Sequence, residues 1–100
     1  MNYDQQVLRF AVFIDKQQEI MLKKGDDYAG ADRLNNFKVA GANCGITTEQ
    51  QCLSLIATKV ARLGVLFKSE VVNNESIEDS IIDLANYSFL LSCIVYEKNN

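Results

Sequence analysis

The complete absence of proline is the feature that most constrains the fold of this chain. None of its 100 residues is proline, so no residue interrupts a helix by removing a backbone donor and clashing with the preceding turn. Three long segments place apolar residues at spacings of three and four, and no segment shows sustained alternation of apolar and polar residues. We therefore expect an all-α helical bundle formed by one domain, residues 1–100.

The first half of the chain is predicted to hold one long helix and one short helix. The long helix should run from about Asp4 to Lys24, because Gly25 is a natural C-terminal stop. The short helix is expected from Arg33 to Val39, where the glycine-containing run AGANCG would end it.

The second half is predicted to hold two long helices. In the run TTEQQ, residues 47–51, a threonine is followed three residues later by glutamine, which is the pattern of a capping box, and this helix should end near Lys68. The last helix should be capped by Asn74 and run from Glu75 to about Glu97. Its main apolar seam is predicted to comprise Ile77, Ile81, Leu84, Ser88, Leu91 and Val95.

The C-terminal half of the last helix predicts an oligomer. From Phe89 to Tyr96 the helix is apolar nearly all the way round, which is typical of a helix buried on several sides. A chain of this length buries only about two-thirds of its unfolded surface by itself. We therefore expect the bundle of three long helices plus a short one to assemble as a homodimer or higher homo-oligomer.

Charge, hydropathy and cysteine content exclude several classes of protein. The net charge is −3 and the ten Lys and Arg residues are scattered, so the chain lacks the basic face of a protein that binds duplex nucleic acid. No apolar run approaches the ~20 residues that span a bilayer, and the start MNYDQQVLRF lacks the order of a signal peptide. These features predict a cytoplasmic protein without a membrane partner. Three cysteines and no histidine disfavour a structural zinc site and a Cys-His nucleophile pair.

Carboxylates recur turn after turn on two of the predicted helices. On the last helix they form a stripe that runs on into Leu90 and Cys93, so we expect this stripe to face a cleft or an interface. Carboxylate pairs on facing helices would suit Mg²⁺, which takes oxygen ligands. The alternative is a solvated face, with acidic residues favoured in the first turns by the helix dipole. The candidate metal ligands are Asp15, Glu19, Glu75, Asp79 and Asp83.

Two further polar features could meet an anionic ligand. The segment KKGDDYAGADRLNNFK, residues 23–38, concentrates charge and glycine between apolar segments. It could cover a cleft between helices, or it could be an ordinary loop with solvated charges. Lys59 and Arg62 lie three residues apart, and they could bind ligand oxygens or pair with the acidic stripe.

Three blocks of the sequence together resemble a known family. KKGDDYAGADRLNNFK, ATKVARL and ESIEDSIIDLANYSFLL, which span residues 23–91, are similar to the pattern of the nucleotide modification associated domain 1 family, small helical proteins frequent in phages and prophages. The resemblance implies one nucleotide site that includes the acidic residues of the last helix, with Tyr28 stacked on a base and a lysine at the phosphate. It implies a location in the host cytoplasm if the chain is phage-encoded. The ligand-binding residues that it implies are Lys24, Asp27, Tyr28, Asn36, Phe37, Lys59, Arg62, Asn86 and Tyr87.

Three functions are compatible with these features. The first is a phage-type binding protein that captures a nucleotide or a nucleotide-derived signal in a cleft between helices or subunits, sequestering it from host defence. The second is a Mg²⁺-dependent nucleoside triphosphate pyrophosphohydrolase, to which a more distant similarity exists in the all-α MazG-like enzymes. Their EExxE and ExxD motifs are not reproduced, since the first helix has DKQQE and the last spaces Asp79 and Asp83 by four. The third is a helical interaction module without a ligand.

Overall fold

The described part of the protein is entirely helical. The computed structural model describes the backbone of residues 1–27, 32–71 and 73–100, and the side chains of the same ranges except 24–27. Within these ranges it contains α1 (Tyr3–Asp27), α2 (Asn35–Cys44), α3 (Thr48–Lys68) and α4 (Asn74–Asn99). The prediction of an all-α fold with three long helices and one short helix is confirmed. Among the helices described, none combines the length and the apolarity needed to cross a membrane.

The first two helices run past their predicted ends, Lys24 and Val39. α1 continues through Gly25 to Asp27, and α2 continues through Gly41 to Cys44, so both predicted ends are wrong. A Cβ atom at position 41 would lie 3.0 Å from the backbone oxygen of Thr47, and the glycine therefore allows α2 to pack closely on the turn before α3. The helix stops instead at Gly45, whose φ of 69° is left-handed.

Local capping signals were read correctly at the start of α3 and nearly so at the start of α4. The Thr47 side chain accepts a hydrogen bond from the Gln50 amide, and the Gln50 side chain accepts one from the Thr47 amide, which completes the predicted capping box. At α4 the cap is Asn73 rather than Asn74, since the Asn73 side chain accepts from the Ser76 amide.

The helices form a row with α4 between α1 and α3. α3 packs antiparallel against α4, and its first turns lie beside the C-terminal end of α4, where Lys98 Nζ is 3.2 Å from Glu49 Oε2. α2 packs on α3, and α1 packs on the other side of α4. The buried core cluster contains Leu34, Phe37, Cys52 and Ile94.

The predicted apolar seam of α4 is wrong at three of its six positions. Ile81 and Val95 are exposed, and Ser88 between them is exposed as well. The buried residues of α4 are Ser80, Ile82, Asn86 and Ile94. Leu91 of the seam packs against the core cluster, as do Leu90 and Cys93 of the predicted stripe, so the inward face takes residues from both.

Candidate functional site

A groove of about 1260 Å³ lies where the four helices meet. Its floor is the C-terminal half of α4, and its walls come from the end of α1, the turn before α2, α2 itself and the first turns of α3. Apolar and aromatic side chains alternate with a few polar ones, which is the usual character of a small-molecule site. The described lining comprises Met21, Leu22, Asp32, Arg33, Leu34, Asn36, Phe37, Ala40, Gln51, Leu55, Asp83, Asn86, Tyr87, Phe89, Leu90, Cys93, Tyr96, Glu97 and Asn100.

Asn86 is the most unusual residue of this lining. Its side chain is buried, with only 7% of the residue exposed, and both Oδ1 and Nδ2 lack a hydrogen-bond partner among the described residues. An unpaired buried polar group costs about 1–3 kcal/mol relative to a paired one. Asn86 lines the groove, but both carboxamide atoms are covered by neighbouring atoms, so a ligand would have to displace part of the lining to meet this adjacent donor and acceptor.

Two aromatic rings fix the wall next to Asn86. The rings of Phe37 and Tyr87 meet edge to face, with centroids 6.5 Å apart and planes at 87°. This geometry is favourable because the positive ring edge meets the negative ring face. Behind them Cys52 Sγ donates a hydrogen bond to the Tyr87 carbonyl oxygen at 3.4 Å, which ties α3 to the backbone of α4. The aromatic wall is thus held by the core.

A half-buried ion pair lies in the same wall. Lys59 Nζ of α3 is 3.1 Å from Asp83 Oδ2 of α4, and the two side chains are only 26% and 21% exposed. Asp83 is one turn before Asn86 on the face that lines the groove. From the sequence, Lys59 could meet either a ligand or the acidic stripe, and in the structure it pairs with Asp83 of the stripe.

A second lysine, Lys38, pairs with two carboxylates of the lining near the C-terminal end of α4. Lys38 Nζ donates to Asp32 Oδ2 at 2.6 Å and also to Glu97 Oε1. The hydrogen bond that Lys38 donates to Asp32, followed by the one it donates to Glu97, raises the pKa of Lys38 above its ordinary value. The hydrogen bond from Lys38, with that from the Leu34 amide, lowers the pKa of Asp32. Two carboxylates of the lining therefore share one lysine.

Five of the predicted ligand-binding residues come together at or beside the groove. Asn36, Phe37, Asn86 and Tyr87 line it, and Lys59 pairs with a lining residue. Arg62 is exposed on α3 and is not among the described lining residues. The side chains of Lys24 and Asp27, and the whole of Tyr28, lie outside the described residues.

The five predicted metal ligands do not form one cluster in the described structure. Asp15, Glu19, Glu75 and Asp79 are exposed, and Lys16 Nζ lies 3.9 Å from Asp79 Oδ1 and 3.1 Å from Glu78 Oε1. Of the five, only Asp83 belongs to the described lining of the groove. No group of three or more acidic or cysteine side chains in the described part of the chain is placed to hold a metal ion.

Several lining residues were not predicted from the sequence. Tyr96 and Glu97 lie one turn beyond Cys93, the last residue of the predicted stripe, so extending the stripe by that turn would have found them. Asp32 and Gln51 gave no such signal, because their places depend on how α2 and α3 pack. The chain matches no family model, no curated protein and no solved structure.

Proposed function

We propose that the protein binds a nucleotide or a nucleotide-derived small molecule in this groove, without chemistry on the ligand. The observation that supports it is the buried, unpaired carboxamide of Asn86 on the groove wall. Asparagine recognises a heterocycle by donating and accepting through adjacent atoms, as in its paired contacts to adenine N6 and N7. A ligand with that edge removes the cost of leaving Asn86 unsatisfied.

Aromatic residues support the same ligand class. Phe89 and Tyr96 line the groove and are exposed, so their ring faces are accessible to a planar group. Stacking of one base on an aromatic side chain contributes about 1–3 kcal/mol. The edge contact at Asn86 and a stacking contact would together orient a base within the groove.

The charges of the described lining favour a ligand with few phosphates. Asp32, Asp83 and Glu97 outnumber Arg33, the cation of the described lining, and the nearby Lys38 and Lys59 are paired with these carboxylates. A phosphate that approached either lysine would compete with the carboxylate that already forms an ion pair with that lysine. The family resemblance adds two residues of the polar segment to the proposed site. Lys24 would bind the phosphate, and Tyr28 would stack on the base.

The homo-oligomer expected from the sequence is part of the proposal. The outer face of α4 leaves Ile81 and Val95 exposed, and the outer face of α3 does the same with Val60 and Phe67. Apolar faces of this extent are commonly covered by another subunit. Sequestration of a host-defence signal is the biological role that this capture would serve.

Substitution of Asn86 tests the binding proposal. Asn86→Leu removes both unpaired polar atoms and keeps the branching and the number of side-chain heavy atoms, so the fold should keep most of its stability while nucleotide binding is lost. Binding is measured by thermal shift and calorimetry against nucleoside mono- and triphosphates and dinucleotides; a ligand at 100 times its dissociation constant adds about 2.7 kcal/mol of stability. The matched control is Asn43→Leu, since Asn43 is exposed on α2 outside the described lining.

Two outcomes would contradict the proposal. If no nucleotide stabilises the wild type, or if Asn86→Leu binds as the wild type does, the groove is not a nucleotide site read by Asn86. Ligand recovered intact after denaturation supports capture. Release of pyrophosphate from a nucleoside triphosphate on addition of Mg²⁺ would instead support the pyrophosphohydrolase hypothesis.

A further inference from the structure

The N-terminal half of α1 is the most exposed apolar part of the described chain. All residues from 1 to 12 are exposed, and the large apolar residues between positions 3 and 14, except the half-buried Phe13, expose between 40% and 77% of their surface. Apolar side chains project in nearly every direction around this part of the helix. The exposed residues are Tyr3, Val7, Leu8, Phe10, Val12 and Ile14.

The register of α1 on α4 explains why this segment packs against no other helix of the described chain. Lys16 lies level with Glu78 and Asp79, and further along both helices Met21 and Asn86 line the same groove. The two helices therefore run in the same direction with the same rise per residue. The first residue of α4, Asn74, is then level with about position 12 of α1. Within the described residues α1 packs against α4 and no other helix. Positions 3–11 therefore extend beyond the N-terminal end of α4.

The accessible surface area of the chain exceeds that of a compact monomer, which indicates a surface that a partner covers. The chain exposes 7419 Å², whereas a compact monomer of this length exposes about 5,700 Å². The surplus is about 1,700 Å², and a standard interface takes about 800 Å² from each partner. The radius of gyration, 15.6 Å, likewise exceeds the ~13 Å of a compact chain of this length.

A second copy of the same chain fits this surface. Between Tyr3 and Ile14 the charged residues are Asp4 and Arg9, so the segment has no net charge and two copies do not repel each other. The outer faces of α3 and α4 supply exposed apolar side chains, such as Val60 and Val95, that a copy could place against it. The surplus area is enough for about two standard interfaces.

We propose that residues 3–14 of α1 are a self-association surface, buried against a second copy of this chain. The surface is separate from the groove, which α1 reaches only through Met21 and Leu22 in the described lining. It assigns a location to the subunit contact that the composition of α4 alone does not give.

Charge substitution on the surface tests the proposal. In size-exclusion chromatography with light scattering, the wild type should have a mass of two or more times that of one chain. Leu8→Glu and Phe10→Glu should each shift it to the monomer, because an ionised carboxylate cannot be buried without a partner. Val39→Glu is the matched control: Val39 is half exposed on α2, which the pair between Lys38 and Glu97 places at the opposite end of α4. It should keep the wild-type mass.

Hydrogen exchange on the unmodified protein gives a second readout that does not depend on a variant folding. Amides of residues 6–14 should exchange more slowly as protein concentration rises, whereas those of α2 should not change. A monomeric wild type, an oligomer that survives both substitutions, or fast exchange of this segment at every concentration would overturn the proposal. Each result would assign the surface to a different partner or to none.

Discussion

The three cysteines occupy three different environments, so one thiol reagent reports on surface, groove and core. Cys44 is exposed, Cys93 is half-buried in the groove lining, and Cys52 is buried. Burial raises the pKa of the Cys52 thiol above its ordinary value. Because the thiolate is the reactive form, Cys52 is protected both by its packing and by its protonation.

Alkylation with iodoacetamide near neutral pH should therefore proceed in a fixed order. Cys44 should react first, Cys93 more slowly, and Cys52 only when the chain unfolds. Peptide mass spectrometry at successive times measures the three rates, and a urea-unfolded sample, in which all three should react alike, is the control. A nucleotide that occupies the groove should slow Cys93 and leave Cys44 unchanged. Native Cys52 reacting as fast as Cys44 would contradict the packing described.

Individual site residues were predictable where helix periodicity alone determines the face. Asp83 was assigned to a stripe expected to face a cleft, and Asn86 lies one turn further along the same face. Both line the groove, although Glu75 and Asp79 of that stripe are exposed. Asp32 and Glu97 could not be assigned in the same way. They are 65 positions apart in the chain, and only Lys38 brings them together.

At the scale of single helices, capping was the feature most accurately predicted, because it depends on a few neighbouring residues. Thr47→Ala should lower the free energy of unfolding by about 1 kcal/mol, since it leaves the Gln50 amide without its side-chain acceptor. Urea denaturation followed by circular dichroism measures this loss. Thr58→Ala is the control, because Thr58 lies inside α3 and bonds to the Ser54 carbonyl; there alanine should be neutral or slightly stabilising. Equal losses in the two variants would mean that the capping box does not stabilise α3.

Helix ends and helix faces were harder to predict than caps. The run AGANCG was expected to end α2, but within it Gly41 allows the close approach of the Thr47 backbone and Gly45 ends the helix, a difference that no local signal reports. The α4 seam was misassigned because α4 has neighbours on two sides. Apolar spacing shows which residues share a face of the helix. It does not show which of several apolar faces is buried by the other helices of the same chain.

At the scale of the whole molecule, fold class was predictable and the site was not. Helix number and order follow from periodicity and the lack of proline. The groove requires four helices to meet, and its charge depends on pairings such as Lys59 with Asp83 that periodicity cannot distinguish from ligand contacts. The acidic residues that the sequence offered to a metal ion include one, Asp79, that lies beside Lys16.

Lys38 connects the turn before α2 to the last turns of α4, so its contribution belongs to the stability of the whole chain. Asp32 has a lowered pKa in the folded state, so its stabilising effect is present above its unfolded pKa and is lost as pH falls through the folded value. Lys38 has a raised pKa, so its effect is present below its unfolded pKa and is lost as pH rises through the folded value.

Lys38→Met should therefore reduce the free energy of unfolding by an amount that depends on pH in a defined way. The difference from the wild type should be constant between about pH 5 and pH 9, and it should shrink on both the acid and the alkaline side of that range as the pairs lose their charges. Urea unfolding at a series of pH values measures it, with Lys98→Met as a control that removes a lysine and its ion pair with Glu49 from the same end of α4. A difference that persists unchanged into strong acid would mean that the loss comes from packing of the lysine stem rather than from its hydrogen bonds to Asp32 and Glu97.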